Sequence, residues 1–209
     1  MTLDDRIAQI MKKVEKLSAK KRRFPCGKFP PEWKEPITEE QVMAYEKEKG
    51  IRLPEDYRRF ITTVASAGTQ PFYGLYGLLD KKPSYEFEPI VEKKFPYTLS
   101  TPLKIAEMSE EEYDKYWNDD ENEEYMQGYI LLCHEGCGME SILIVNTDAE
   151  EVYGTVWFCD LANDYGIMPI YHPQTREPMH FLEWLEYWVD QMLLLEEEEY
   201  FSYGELTFF

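Results

Sequence analysis

Long apolar stretches are missing from this 209-residue chain. No run reaches the roughly 18 residues that a transmembrane helix needs, so no membrane span is expected. The opening "MTLDDRIAQIMKKVEKLSAKKRRF" also lacks the continuous apolar stretch of a secretory signal. Its apolar residues Leu3, Ile7, Ile10, Val14 and Leu17 fall instead at helical spacing. Cysteine is sparse: the four, at positions 26, 133, 137 and 159, follow no disulfide-framework spacing. A reducing compartment, the cytoplasm, is therefore the expectation, with no disulfide. Histidine is sparser still, at three residues, which leaves little for a histidine-rich metal site.

Positive charge is the other shortage. Lys and Arg number 22 against 41 Asp and Glu, a net charge of −19. Residues 1 to 23 hold eight basic and three acidic side chains, so the rest of the chain carries about −24. Such a body repels nucleic acid and anionic membranes and attracts basic proteins at long range. The plainer reading of the same charge is solubility alone. What the chain does have is aromatic surface: 16 Tyr, 11 Phe and 5 Trp, 15% of all residues. These residues supply cores and interfaces alike.

The pattern predicts a first helix over about residues 3–20, ending in the basic run "KKRRF", whose cations suit a helix C-terminus. The connector "PCGKFPPEWKEP" has no periodicity, so residues 1–35 are expected to form a separable, loosely packed arm. "ITEEQVMAYEKEKG" reads as a helix with a Thr38–Gln41 capping box and a Gly50 stop. In "IRLPEDYRRFITTVASAG", Pro54 suits the first helical position and Tyr57, Phe60, Ile61 and Val64 form the buried stripe. "FYGLYGLL" is predicted as a short aromatic strand, and residues 80–104 as a long loop with one edge strand. Ser109 and Glu112 form a second capping box ahead of Tyr113, Tyr116 and Trp117. Four strands follow, "YILLCH", "SILIVN", "VYGTVWFC" and "GIMPIYH", and then a helix with Phe181, Leu185, Trp188, Met192 and Leu195 along one face. Helix pairs, a run of strands and a closing helix predict an α+β fold around a mostly antiparallel sheet.

These segments also carry a family resemblance. "ITEEQVMAYEKEKGIRLPEDYRRFI", "YGLYGLL", "GYILLCHEGCGMESILIV", "GTVWF" and "FLEWLEYWVD" resemble, in order, the motifs of the SUKH superfamily across about residues 37–190. The resemblance implies one α+β domain, placed at residues 36–195, with an N-terminal helical arm (1–35) and an acidic and aromatic extension (196–209). It implies no enzyme activity, no cofactor and no catalytic residue to carry over. In bacteria it implies mostly immunity proteins, which bind and neutralise a cognate toxin, often a nuclease or deaminase. The yeast relatives, regulators of cell-wall synthesis, imply the alternative of a regulatory scaffold.

"LLCHEGCGMES", residues 131–141, is the one stretch dense enough in reactive side chains to suggest chemistry. Zinc needs about four ligands on one point, but adjacent Cys133 and His134 in a strand point to opposite faces. A Cys137–His134 pair has no evident orienting third group in the sequence. A thiol- or zinc-dependent enzyme built on Cys133, Cys137 and Cys159 is the least favoured reading. A hairpin turn, with glycines for unusual backbone angles, is preferred. His172 and His180, across "PQTREP", make a poor ligand set. The acidic stretch from Asp119 to Glu124 lacks calcium-loop spacing and reads as a solvated loop or an interaction surface. A partner, a cognate toxin or other basic protein, is expected to meet Tyr76, Trp157 and Asp160 near the sheet end. Asp119, Asp120, Glu121, Glu123 and Glu124 complete that set, with aromatic anchors inside an acidic rim. Trp157 on a strand also fits a core position, and the aromatic tail "YFSYGELTFF" must dock on its own body or on a partner.

Overall fold

The computed structural model describes residues 1–20, 29–81, 88–118, 122–196, 199 and 201–207. Its helices start where the sequence places side-chain caps. The first, α1 (Leu3–Ser18), opens on a capping box between Thr2 and Asp5. In α2 (Glu39–Lys49), Thr38 and Gln41 cap reciprocally, and Gly50 ends the helix at φ 66°, the left-handed region where a Cβ is disfavoured. Pro54 precedes α3 (Glu55–Thr63) as its cap rather than as its first residue. Ser109 and Glu112 start α4 (Glu110–Trp117), and His180 and Glu183 start α5 (Phe181–Leu194).

Five strands form one sheet: β1 (Leu103–Lys104), β2 (Tyr129–Gly136), β3 (Met139–Ile144), β4 (Val156–Asp160) and β5 (Gly166–Pro169). Their order is β1-β5-β4-β3-β2, and every pair is antiparallel. The fold is therefore α+β around an antiparallel sheet, as the element order predicts. Strand β2 contains a bulge: Leu131 faces Ile142 and Cys133 faces Ser141, leaving Leu132 as the extra residue. In consequence Leu132 and Cys133, though adjacent, both enter the core on the helical side.

Two apolar clusters cover the two sheet faces. One joins Ile130, Leu132, Leu143, Val156 and Phe158 to α1, α3 and α5. The other joins Leu131, Ile142, Trp157 and Ile167 to Phe95, Tyr97, Leu103 and Ile105, with Tyr113, Tyr116 and Trp117 of α4 packed against it. Burial on both faces explains why β2 and β3 read as unbroken apolar runs.

Two expectations are corrected. The first helix is not a loosely packed arm. Ile7, Ile10, Val14 and Leu17 are buried in the main core against α5, whose apolar surface wraps well beyond one stripe and includes Leu182, Trp184 and Val189. Polar contacts reinforce the junction: Lys13 Nζ lies 2.9 Å from Glu186 and 2.8 Å from Asp190, and Arg59 of α3 forms a two-pronged pair with Asp4 at 2.6 and 2.8 Å. Packing continues past the connector, where Phe29, Trp33 and Ile37 lie against the same core. Second, "FYGLYGLL" is not a strand. Residues 73–76 lie beside β2, with Tyr73 N donating to His134 O and Tyr76 N to Leu132 O. Positive φ at Phe72 (49°) and Gly74 (132°) breaks the extended run, leaving only isolated bridges from Leu75 to Gly68 and to Cys133. The aromatic tail docks on its own body, one of the two placements expected of it: Tyr203 is fully buried in the main core. The rest of "KKRRF" beyond Lys20, together with Cys26, lies outside the described residues.

Candidate partner-binding surface

The hairpin between β2 and β3 settles the suspected reactive cluster geometrically. Gly136 pairs with Met139, and the two turn residues, Cys137 and Gly138, both have positive φ, 53° and 79°. Such a turn matches the right-handed twist of the flanking strands. A Cβ on Gly138 would sit 2.4 Å from that of Ala162, so only glycine fits. The thiols do not converge: Cys133 lies in the helix-side core, Cys159 in the core on the opposite face, and Cys137 is exposed in the turn. Among the described residues no group of three His, Cys, Asp or Glu side chains could hold a metal. His134 does have an orienting partner that the sequence did not reveal. Its Nδ1 lies 2.6 Å from Oε1 of Glu140, directly across the strand pair. The Tyr73 ring packs on the imidazole, with centroids 5.3 Å apart. His172 and His180 serve local structure instead. Nδ1 of His172 accepts from Gln174 N, and Nδ1 of His180 contacts the Gly154 carbonyl oxygen.

The predicted contact residues divide into three groups. Trp157 is a core residue with 0% exposure, its Nε1 donating to Thr155 Oγ1 at 2.9 Å and its ring set edge-on to Phe95. It offers nothing to a partner. The strand alternation that buries it was not readable because both faces of β4 are covered. Asp160, at 7% exposure, accepts from the backbone N and side-chain Nδ2 of Asn163 at 3.0 and 2.7 Å. It closes the turn after β4, a common use of Asp. Tyr76 is half-buried and, with Trp33 and the half-exposed Tyr73, lines a groove of about 470 Å³.

The acidic residues gather elsewhere. An open groove of about 870 Å³ is lined by Glu107, Glu112, Glu123 and Glu124, with Lys104 and Lys115 as the opposing charges and Tyr116 and Met108 supplying apolar surface. Glu123 is within 2.5 Å of Lys93, and Glu107 within 2.8 Å of Lys104, both pairs largely exposed. Exposed pairs hold their partners weakly, so these carboxylates remain available for exchange. Tyr116 is fixed from below by a 3.0 Å hydrogen bond to Tyr97 and by packing on Trp117 and Tyr125. Asp119, Asp120 and Glu121 lie outside the described residues, between Asn118 at the end of α4 and Asn122 in the groove wall. No helix among the described residues is long and apolar enough to cross a membrane.

The antiparallel sheet thus carries helices on one face and irregular chain with α4 on the other, beside which the acidic groove opens. The model of the SMI1 / KNR4 family (SUKH-1) matches residues 36–177, and the chain belongs to that family. No curated protein and no solved structure matches the sequence.

Proposed function

We propose that the protein is a non-enzymatic binding module of the immunity type, which captures a basic toxin, nuclease- or deaminase-like in class, on its acidic face. The observation that carries this reading is the groove beside α4, where four carboxylates face two lysines around an aromatic floor. Family membership supports it, as members are generally non-catalytic. So does the charge of the chain, −19 in all, which attracts a basic partner over distances larger than any single contact. A nuclease whose active site attracts phosphate would be blocked by a surface that presents carboxylates in the place of substrate charge. Tight holding then falls to apolar and aromatic contacts, here Tyr116 and, at the second groove, Tyr73 and Tyr76. The test is affinity capture with the full chain, in parallel with a variant carrying Glu107→Gln, Glu123→Gln and Glu124→Gln. A stoichiometric basic protein retained by the native chain and lost from the variant is the expected result. A partner held equally by both would move the binding face away from α4.

A further inference from the structure

The C-terminal residues 201–207 close over a carboxylate. Glu135, near the end of β2, is 8% exposed, with Ser141 Oγ donating to its Oε1 at 2.5 Å and Tyr203 N donating to its Oε2 at 3.4 Å. Ser141 Oγ in turn accepts from Trp184 Nε1 at 3.1 Å, tying α5 into the same chain of hydrogen bonds. Tyr203 is the centre of the tail's grip. Its ring stacks on Trp184 at 5.5 Å, packs against Phe72 and Phe201, and its hydroxyl donates to the Trp184 carbonyl. Gly204 passes so close to Phe158 that a Cβ there would lie 3.1 Å from the ring. Leu206 O accepts from Tyr171 N at 3.0 Å, and Thr207 Oγ1 lies 2.7 Å from the Tyr165 hydroxyl. The tail is therefore a lid over a buried carboxylate, Glu135.

The groups that act on Glu135 all disfavour or only partly offset its charge. Burial comes first, and Asp160 of β4 adds like-charge repulsion, against the hydrogen bonds from Ser141 and Tyr203 N. Tyr203, which lies against Glu135, has Cys133 of β2 and Tyr187 of α5 as further titratable neighbours, none of them cationic. Among the described residues no Lys, Arg or His pairs with Glu135.

We propose that residues 201–207 form a pH-governed latch, clasped on the sheet while Glu135 is protonated and loosened when that carboxylate ionises. A docked tail keeps water from the carboxyl, whereas an undocked tail lets it hydrate, so docking and ionisation oppose each other by linkage. With the tail in place, burial raises the Glu135 pKa from its ordinary 4.5 to about 7. A raised acid pKa in the docked state means that docking weakens as pH rises between these two values and levels off above the higher one. The steepest change is roughly tenfold per pH unit. Loosening would uncover an aromatic floor of Phe72, Phe158 and Trp184.

Hydrogen–deuterium exchange on the full chain tests this, reading residues 201–207 at about pH 5 and about pH 8, corrected for intrinsic exchange, with β4 as internal reference. The native tail should lose about tenfold or more of its protection at the higher pH while β4 keeps its own. In Glu135→Gln, which removes the charge, tail protection should be the same at both. Should that variant fail to fold, Tyr203→Ala serves instead: with the clasp removed, the tail should exchange fast at both pH values. Native tail protection that does not change with pH overturns the proposal. So does a Glu135→Gln tail that loses protection as the native one does, or a Tyr203→Ala tail that keeps the native pH response.

Discussion

Gly166 shows how one residue sets the edge of the sheet. At φ 128° it lets β5 pass β1 so closely that a Cβ would fall 1.9 Å from Leu103 O. Gly166→Ala should therefore unseat β1 and lower stability by about 3 kcal/mol, near the upper end of ordinary substitutions. Urea denaturation measures this, and a change within about 0.5 kcal/mol would show that the edge tolerates a side chain. Trp157 tests the second core in the same way. Removing its buried indole in Trp157→Ala should cost about 3–5 kcal/mol through lost burial and the cavity left behind. A partner's affinity measured on whatever fraction stays folded should not change, because the ring contacts Phe95 and Thr155 inside the protein. An affinity loss larger than the folding loss would restore Trp157 as an anchor.

At the scale of elements, α1 belongs to the domain. Its four buried apolar residues lie within the core that α3 and α5 share, so deleting residues 1–35 uncovers that core. The fragment starting at Pro36 should lose cooperative unfolding and bind a hydrophobic dye such as ANS, as a chain with exposed core does. A cooperative transition in that fragment would make α1 dispensable. This scale also shows what the sequence made legible. Capping boxes at Thr38 and Ser109, the Gly50 stop and the turn at Cys137–Gly138 are local chemistry, and each lies where its residues place it. The order of the strands and the closing helix followed from apolar pattern. Other features depend on partners distant in sequence. The burial of α1 needs the wide apolar surface of α5, and the His134–Glu140 pair needs the register of two strands. Trp157 could be placed only by knowing that both faces of β4 are covered. The bulge at Leu132 leaves no mark in an apolar run. Of the predicted contact set, Glu123 and Glu124 do line a groove and Tyr76 lines another, whereas Asp119, Asp120 and Glu121 lie outside the described residues.

Charge dominates the whole molecule, −19 in all, and in the proposed function it is this charge that captures a basic partner. Long-range attraction between opposite charges acts on association, while apolar anchors govern release. Screening is the natural probe, since the Debye length falls from about 30 Å at 0.01 M salt to about 10 Å at 0.1 M. Neutralising Glu107, Glu123 and Glu124 together to Gln should leave folding stability within about 0.5 kcal/mol, because these groups line an open groove and exposed charges contribute little to stability. The most direct measurement is the association rate with the captured partner, for the native and neutralised chains, at those two salt concentrations. The native rate should fall about tenfold or more with added salt, and the neutralised chain should start slower and respond less. Dissociation should hardly differ between the two. A native association rate that ignores salt and equals that of the neutralised chain would contradict electrostatic capture and leave the acidic face with solubility as its only role.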